Sequence, residues 1–155
     1  MTTNSHNKPI LLEGGTAVDR RGKVSFVNGF GFNDVVRFYT VENSAAEPIR
    51  AFHGHMKEAK YVFVPHGSAL VAVVRLSDPD APSTLEVPER FVLSAQKPSV
   101  LYIPGGYANG FRALEPNTKV IFFATASVEE SKADDYRFPP DYWGSEVWNV
   151  PRDEA

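Results

Sequence analysis

The chain contains no cysteine, which removes disulfides, thiolate-bound zinc, iron–sulfur clusters and thiol nucleophiles from consideration. It also lacks a long hydrophobic run. No apolar stretch approaches the ~20 residues of a membrane helix, and the opening MTTNSHNKPILLEGGT has neither the cationic start nor the apolar middle of a signal peptide. Neither sign of charge dominates: 16 basic and 19 acidic residues are spread along the chain, for a formal net charge of -3. That balance offers no basic face to nucleic acid. These absences lead to the expectation of a cytoplasmic protein with no nucleic-acid and no membrane partner.

With 155 residues, the chain is the size of one domain. We expect a single domain over 1–155, with a core at about 20–130 and an aromatic tail at 134–155. Twelve prolines and eleven glycines punctuate short segments rich in Val, Ile, Phe and Tyr, the pattern of many strands joined by turns. The expected strands are 23–27, 35–41, 49–55, 61–65, 69–76, 89–93, 99–103, 108–113 and 119–124. Several alternate apolar and polar residues with period two, as half-exposed strands do. Nine short strands imply an all-β sandwich or jelly-roll barrel, whose mouth is a natural ligand pocket. LSDPDAPSTLEVPER reads as a surface loop, and SVEESKADD as the one short helical segment. The tail carries both tryptophans within six residues, so it should pack over the barrel or against a partner.

The chemistry-bearing stretch is PIRAFHGHMKEAKYVFVPHG, with His53 and His55 two residues apart beside Arg50, Glu58 and Lys60. On a strand the two imidazoles face one side, and strand parity places Arg50 on the other unless a bulge intervenes. Two exposed histidines on an outer face is the plain reading. A divalent metal is a second, since His-x-His with a nearby carboxylate is half of a transition-metal set. Completion would need a histidine from a later strand, and PGGYAN offers Asn109 there, so no metal is expected. The third reading is acid–base chemistry, with an imidazole titrating near neutrality as base and Arg50 and Lys60 as contacts for an anion such as a diphosphate. His66 reads as a turn residue and Gly105, Gly106 and Gly110 as turn glycines. EESKADD reads as a solvated charge cluster. Arg37 and Tyr39 share one face of the earlier strand, and Tyr102, Tyr107 and Asn109 are further candidates to line a pocket.

FYTVENSAAEPIRAFHGHMKEAKYVFVPHGSALVAVV, FVLSAQKPSVLYIPGGYANGF and TKVIFFATASVEES together resemble the dTDP-4-dehydrorhamnose 3,5-epimerase family of cupin-fold enzymes over about residues 20 to 130. The resemblance implies a cupin-type jelly-roll barrel with a short C-terminal helical or irregular segment. It also implies cofactor-free proton abstraction next to the ketone of a nucleotide-diphosphate-linked 4-keto-6-deoxysugar. His53 matches the family's base, and Arg50 and Lys60 match basic residues serving the phosphates and the site. Glu42 and Asn43 match an Asp-Asn pair at the sugar-nucleotide pocket. Two positions depart from the pattern: Asn109 replaces the signature histidine, and KVIFFATASV offers Phe122, Phe123 and Ser127 but no tyrosine to act as acid. RAFHGH also resembles the Arg-Gly-x-His-Ala-His motif of dTDP-sugar 3,4-ketoisomerases, in which His55 would be a second proton-handling group. A non-catalytic sugar-nucleotide-binding cupin is the further alternative. A homodimer is expected, with strand exchange covering the N-terminal strands.

Overall fold

The computed structural model describes residues 7–150. Its elements are β1 (Ile10–Glu13), β2 (Gly15–Asp19), β3 (Gly22–Phe26), β4 (Arg37–Val41), β5 (Ile49–His55), β6 (Lys60–His66), β7 (Ser68–Arg75), β8 (Glu89–Ser94), β9 (Ser99–Ile103), β10 (Tyr107–Ala113) and β11 (Lys119–Ala124), followed by α1 (Val128–Lys132), β12 (Tyr136–Arg137) and a 3-10 turn, Ser145–Trp148. Two antiparallel five-stranded sheets, in the orders β1-β9-β6-β11-β4 and β12-β5-β10-β7-β8, form the jelly roll, and β2 and β3 make a separate hairpin. Among the described residues no helix is long and apolar enough to cross a membrane.

Alternation decides which side chains fill the space between the sheets. Val62, Val64, Val71, Val73, Leu101 and Phe122 point inward and form the central core. Tyr61, Val100 and Tyr102 point the other way from the first sheet and are covered by Ile10, Leu12 and Phe30. The outer face of the second sheet presents Phe52, Leu70, Ala72 and Val74, and the tail lays Trp143, Val147 and Trp148 across it. Each indole ring buries about 150–250 Å², a transfer gain of about 4–6 kcal/mol. Polar groups fix the tail's register: the Arg112 guanidinium donates to the Trp148 carbonyl at 2.6 Å, and the Trp143 indole donates to the Ser83 carbonyl at 3.0 Å.

The pairing of β5 with β10 slips once. Asn109 is opposite His53, but Phe111 is opposite Arg50, so Gly110 faces two residues of β5 instead of one. Both extra-facing residues, Ala51 and Phe52, turn to the outer cluster. Glycine permits this: a Cβ on Gly110 would lie 2.3 Å from the Ala51 Cβ, far inside van der Waals contact. The bulge reverses parity along β5. Arg50 therefore lies on the same face as Phe111 and the histidines, which corrects the expectation that it points away from His53.

The short helix begins with a reciprocal cap, the Ser127 hydroxyl accepting from the Glu130 amide at 3.1 Å and the Glu130 carboxylate from the Ser127 amide at 2.8 Å. None of the helix residues is buried, in keeping with a solvated charge cluster. Its continuation is not solvated. Asp134 is 7% exposed and reaches the loop between β5 and β6, where its carboxylate accepts from the amides of Met56 (2.9 Å), Lys57 (2.9 Å) and Glu58 (3.1 Å).

Candidate active site

The strands bring two walls together. On the β5 wall, His53 and His55 share the inward face with their β10 partners Asn109 and Tyr107. On the opposing sheet, Lys60 of β6 and Arg37 of β4 are both paired with Ala124 of β11, in the same inward series as Phe122 and Tyr39. Tyr39 stacks on Phe122 with ring centroids 5.2 Å apart and planes at 14°. The Lys60 ammonium lies 5.9 Å from the Tyr39 centroid and 5.5 Å from that of Phe122, and the Arg37 guanidinium lies 5.1 Å from Tyr39. Cations over aromatic faces are attracted by the ring quadrupole.

Glu58 joins the walls. Its carboxylate is fully buried, 4.0 Å from the His55 Nε2 and 3.9 Å from the Lys60 Nζ, and neither oxygen has a hydrogen-bond partner. The loop that carries it is held in place by Asp134 from below. A cavity of about 460 Å³ lies between the Glu58 loop and the short helix, lined by Met56, Lys57, Glu58, Glu130, Asp134 and Tyr136 among others and by none of His53, His55 and Lys60. Asp134 itself was hidden from sequence reading by its charged neighbours; only its place at the end of a capped helix hints that the chain turns inward there.

His55 donates its Nδ1–H to the carbonyl oxygen of Asp134, which leaves Nε2 with a free lone pair in the neutral ring. Burial pushes its pKa down, as does Lys60, while Glu58 opposes them. His53 is held at about 4, first by burial and then by the cations Lys60 and Arg137, against the pull of Asp135. At neutral pH it is therefore an uncharged imidazole able to accept a proton. The Lys60 amine is lowered by burial, with Glu58 raising it again and Arg37 lowering it. The Tyr39 phenol is pushed up to about 12 by burial and by the Glu58 carboxylate.

The depressed His53 value has a consequence for stability. The unfolded chain takes up this proton at its ordinary value near 6.5, the folded chain only at about 4. Between these values the unfolded state binds more protons, so stability rises with pH across the window and is lost as pH falls through it. We expect the His53 ring resonances to titrate at about 4, followed by NMR, with urea midpoints declining from pH 6.5 downward; a His53→Gln variant should flatten that decline.

The other expected residues are distributed as follows. Arg50 is exposed on the rim and donates to the Asn43 side-chain oxygen at 3.2 Å, while Asn43 donates to the Pro48 carbonyl at 2.6 Å. Lys60 is 7% exposed, so an anion facing it must lie within the barrel; the solvated rim position falls to Arg50. Glu42 stands apart, in a surface ion pair with Lys119 at 3.2 Å. Tyr102 is not brought to the site. Its ring packs on the outer face of the first sheet, 5.0 Å from that of Tyr61, because Leu101 and Ile103 take the inward positions of β9. His66 ends β6 at the surface and bonds the Asn117 carbonyl.

Comparison with known proteins gives the family and the fold. The family model for dTDP-4-dehydrorhamnose 3,5-epimerase matches residues 21–139. The chain is 33% identical over 107 residues to the spore coat polysaccharide biosynthesis protein SpsL of Bacillus subtilis, covering 66% of this chain and 68% of that protein. Its fold is similar to dTDP-4-dehydrorhamnose 3,5-epimerase from Sulfolobus tokodaii, with a TM-score of 0.69, 25% identity, and 96% and 84% of the two chains covered. It is also similar to the sugar 3,4-ketoisomerase QdtA from Thermoanaerobacterium thermosaccharolyticum, solved with TDP, with a TM-score of 0.64, 16% identity, and 90% and 93% covered. The matched span takes in β5 and its histidines, the facing wall of β4, β6 and β11, and the Asp134 anchor, and on it the chain belongs to the dTDP-4-dehydrorhamnose 3,5-epimerase family.

Proposed function

We propose that the protein is an epimerase or isomerase of a nucleotide-linked 4-keto-6-deoxysugar and that His53 removes the proton next to the ketone. The observation that carries this reading is an imidazole kept neutral on one wall of the barrel, facing a buried cation, Lys60, on the other. A base must be unprotonated at the working pH, and the enolate it creates needs positive charge near its oxygen. The sugar would lie between the sheets. Arg50, held by Asn43, would meet the diphosphate at the rim, where its planar guanidinium suits paired phosphate contacts. Asn109 and Tyr107 would line the β10 side.

A second reading is favoured by one specific observation: His53 and His55 are both inward on a single strand, and the His55 Nε2 is free of the Asp134 bond. Two proton-handling groups on one face suit a 3,4-ketoisomerase, which moves a proton between neighbouring positions of an enediol without crossing the ring. Homodimer formation belongs to either reading. It is supported by the β2–β3 hairpin, which pairs with neither large sheet and leaves Val18 76% and Val24 66% exposed.

The test is solvent deuterium exchange into a panel of dTDP- and GDP-linked 4-keto-6-deoxysugars in the presence of EDTA. Label is expected at the carbon next to the ketone of one of them. Inverted product identifies an epimerase, and a displaced carbonyl a ketoisomerase. No label with any sugar would overturn the enzyme reading. Label that requires a metal would overturn the metal-independent mechanism.

A further inference from the structure

The stretch KVIFFATASV, where the resemblance puts the family's tyrosine acid, has Phe122, Phe123 and Ser127 but no tyrosine, and inversion at carbon needs a proton donor on the face opposite the base. His55 cannot be that donor, because it shares the strand and the face of His53. The facing wall carries two groups with a proton to give, Tyr39 and Lys60.

We propose that Lys60 is the acid: its ammonium delivers a proton to the face of the enolate carbon opposite the one that His53 deprotonates. This rests on the epimerase reading above. The position of Lys60 supports it. Nζ lies over the ring of Phe122, the residue of the strand that lacks the tyrosine. Its nearest carboxylate oxygen is 3.9 Å away, beyond hydrogen-bond reach, so N–H donors remain for a ligand. Burial makes the amine a stronger acid than a solvated lysine, whereas the Tyr39 phenol, raised to about 12, becomes a weaker one.

The step balances without an oxidant or reductant. The C–H bond breaks, its proton goes to His53 and its electron pair to the enolate. A new C–H bond forms at the same carbon from a Lys60 N–H, leaving a neutral amine. The His53 imidazolium then releases a proton to solvent, and the amine takes one up. Glu58 is a positioning residue in this scheme, since its buried carboxylate favours the return of Lys60 to the charged form. The other charged or titratable groups acting on the site are Arg37, Tyr39, His53, His55, Asp135 and Arg137.

Lys60→Arg and Tyr39→Phe are compared with the unsubstituted enzyme on TDP-4-keto-6-deoxyglucose, and deuterium wash-in and inverted product are measured separately. Arginine keeps the charge but does not release a proton. In Lys60→Arg, inversion should fall about 100-fold or more relative to wash-in, the scale of a lost general acid, and Tyr39→Phe should keep the original ratio. If the two rates fall together in Lys60→Arg, Lys60 acts by charge alone and the proposal fails; a split in Tyr39→Phe instead assigns the acid to Tyr39. Wild-type wash-in without inversion overturns the Lys60 role and leaves His53 as base, while absence of wash-in overturns both. A readout independent of turnover is the NMR titration of 13Cε-labelled lysine. The Lys60 signal should titrate below an ordinary lysine and lower still in Glu58→Gln. Titration at the ordinary lysine value would overturn the proposal.

Discussion

Replacing His53 with alanine should lower both deuterium wash-in and turnover by about 10³-fold, equivalent to about 4 kcal/mol of barrier, the middle of the range for loss of a general base. The size of the loss follows from the wall on which His53 sits. Its β10 neighbour Asn109 is an amide with no useful basicity, and His55 has Nδ1 committed to the Asp134 carbonyl and Nε2 turned toward Glu58. On the epimerase reading neither neighbour substitutes for it. The half-buried ring contributes little packing, so the melting temperature should stay within a few degrees, about 1 kcal/mol. Added imidazole should restore part of the wash-in. Turnover undiminished in His53→Ala would remove it as the base.

Replacing Asp134 with alanine should cost about 3 kcal/mol or more of folding stability, read from urea midpoints. Three backbone amides, those of Met56, Lys57 and Glu58, lose their acceptor together; the buried Glu58 donor left unpaired costs about 1–3 kcal/mol, and the part-buried Met56 and Lys57 donors, which water can reach, add less each. Asparagine should recover part of the loss, because its single oxygen can serve the Lys57 and Glu58 amides while its NH2 opposes that of Met56. The pH dependence distinguishes this anchor from the imidazole. Burial pushes the Asp134 carboxyl up, but the three amides outweigh it and its pKa lies below the usual aspartate value of 3.8. Its contribution is therefore present above the unfolded value and lost as pH falls through the folded one. The wild-type protein should lose stability in two stages on acidification: first through the His53 window, then below about 4 as the Asp134 carboxylate takes up its proton. Only the second stage should vanish in Asp134→Asn. Activity should fall as well, since the loop that loses its anchor carries Glu58 and leads into Lys60.

Much of the barrel could be read from the sequence because its strands are short, alternating and closed by glycine and proline. Ile49–His55, Ser99–Ile103 and Lys119–Ala124 have the expected bounds. Gly15–Asp19 was not foreseen, nor were the edge strands Ile10–Glu13 and Tyr136–Arg137. Four residues in one case and two in the other are too few to show a period, and both become strands only because a sheet edge pairs with them. Tyr102 misled for a related reason. Every residue of SVLYI is buried, so apolar character marks both faces of β9 and cannot say which one meets the cavity. The position of Arg50 depends on Gly110, sixty residues away in the sequence, and no local pattern around Arg50 announces the slip. Asp134 looked like one more surface charge because its partners are main-chain amides, which sequence does not display. Tyr39 and Lys60 lie on strands that alternation identified, but their convergence with His53 depends on how the two sheets face each other.

The slip at Gly110 divides β5 into two independently adjustable parts. On the function proposed above, the C-terminal end of the strand would carry the proton chemistry through His53 and His55, and the part before Ala51 would present Arg50 to the charged end of a ligand. A deletion of Ala51 would remove the slip and still leave residue 50 opposite Phe111 on the inward face, without moving the histidines relative to Asn109 and Tyr107. Ligand charge preference and reaction type can thus change separately on one strand, with the unpaired residue acting as the joint between them.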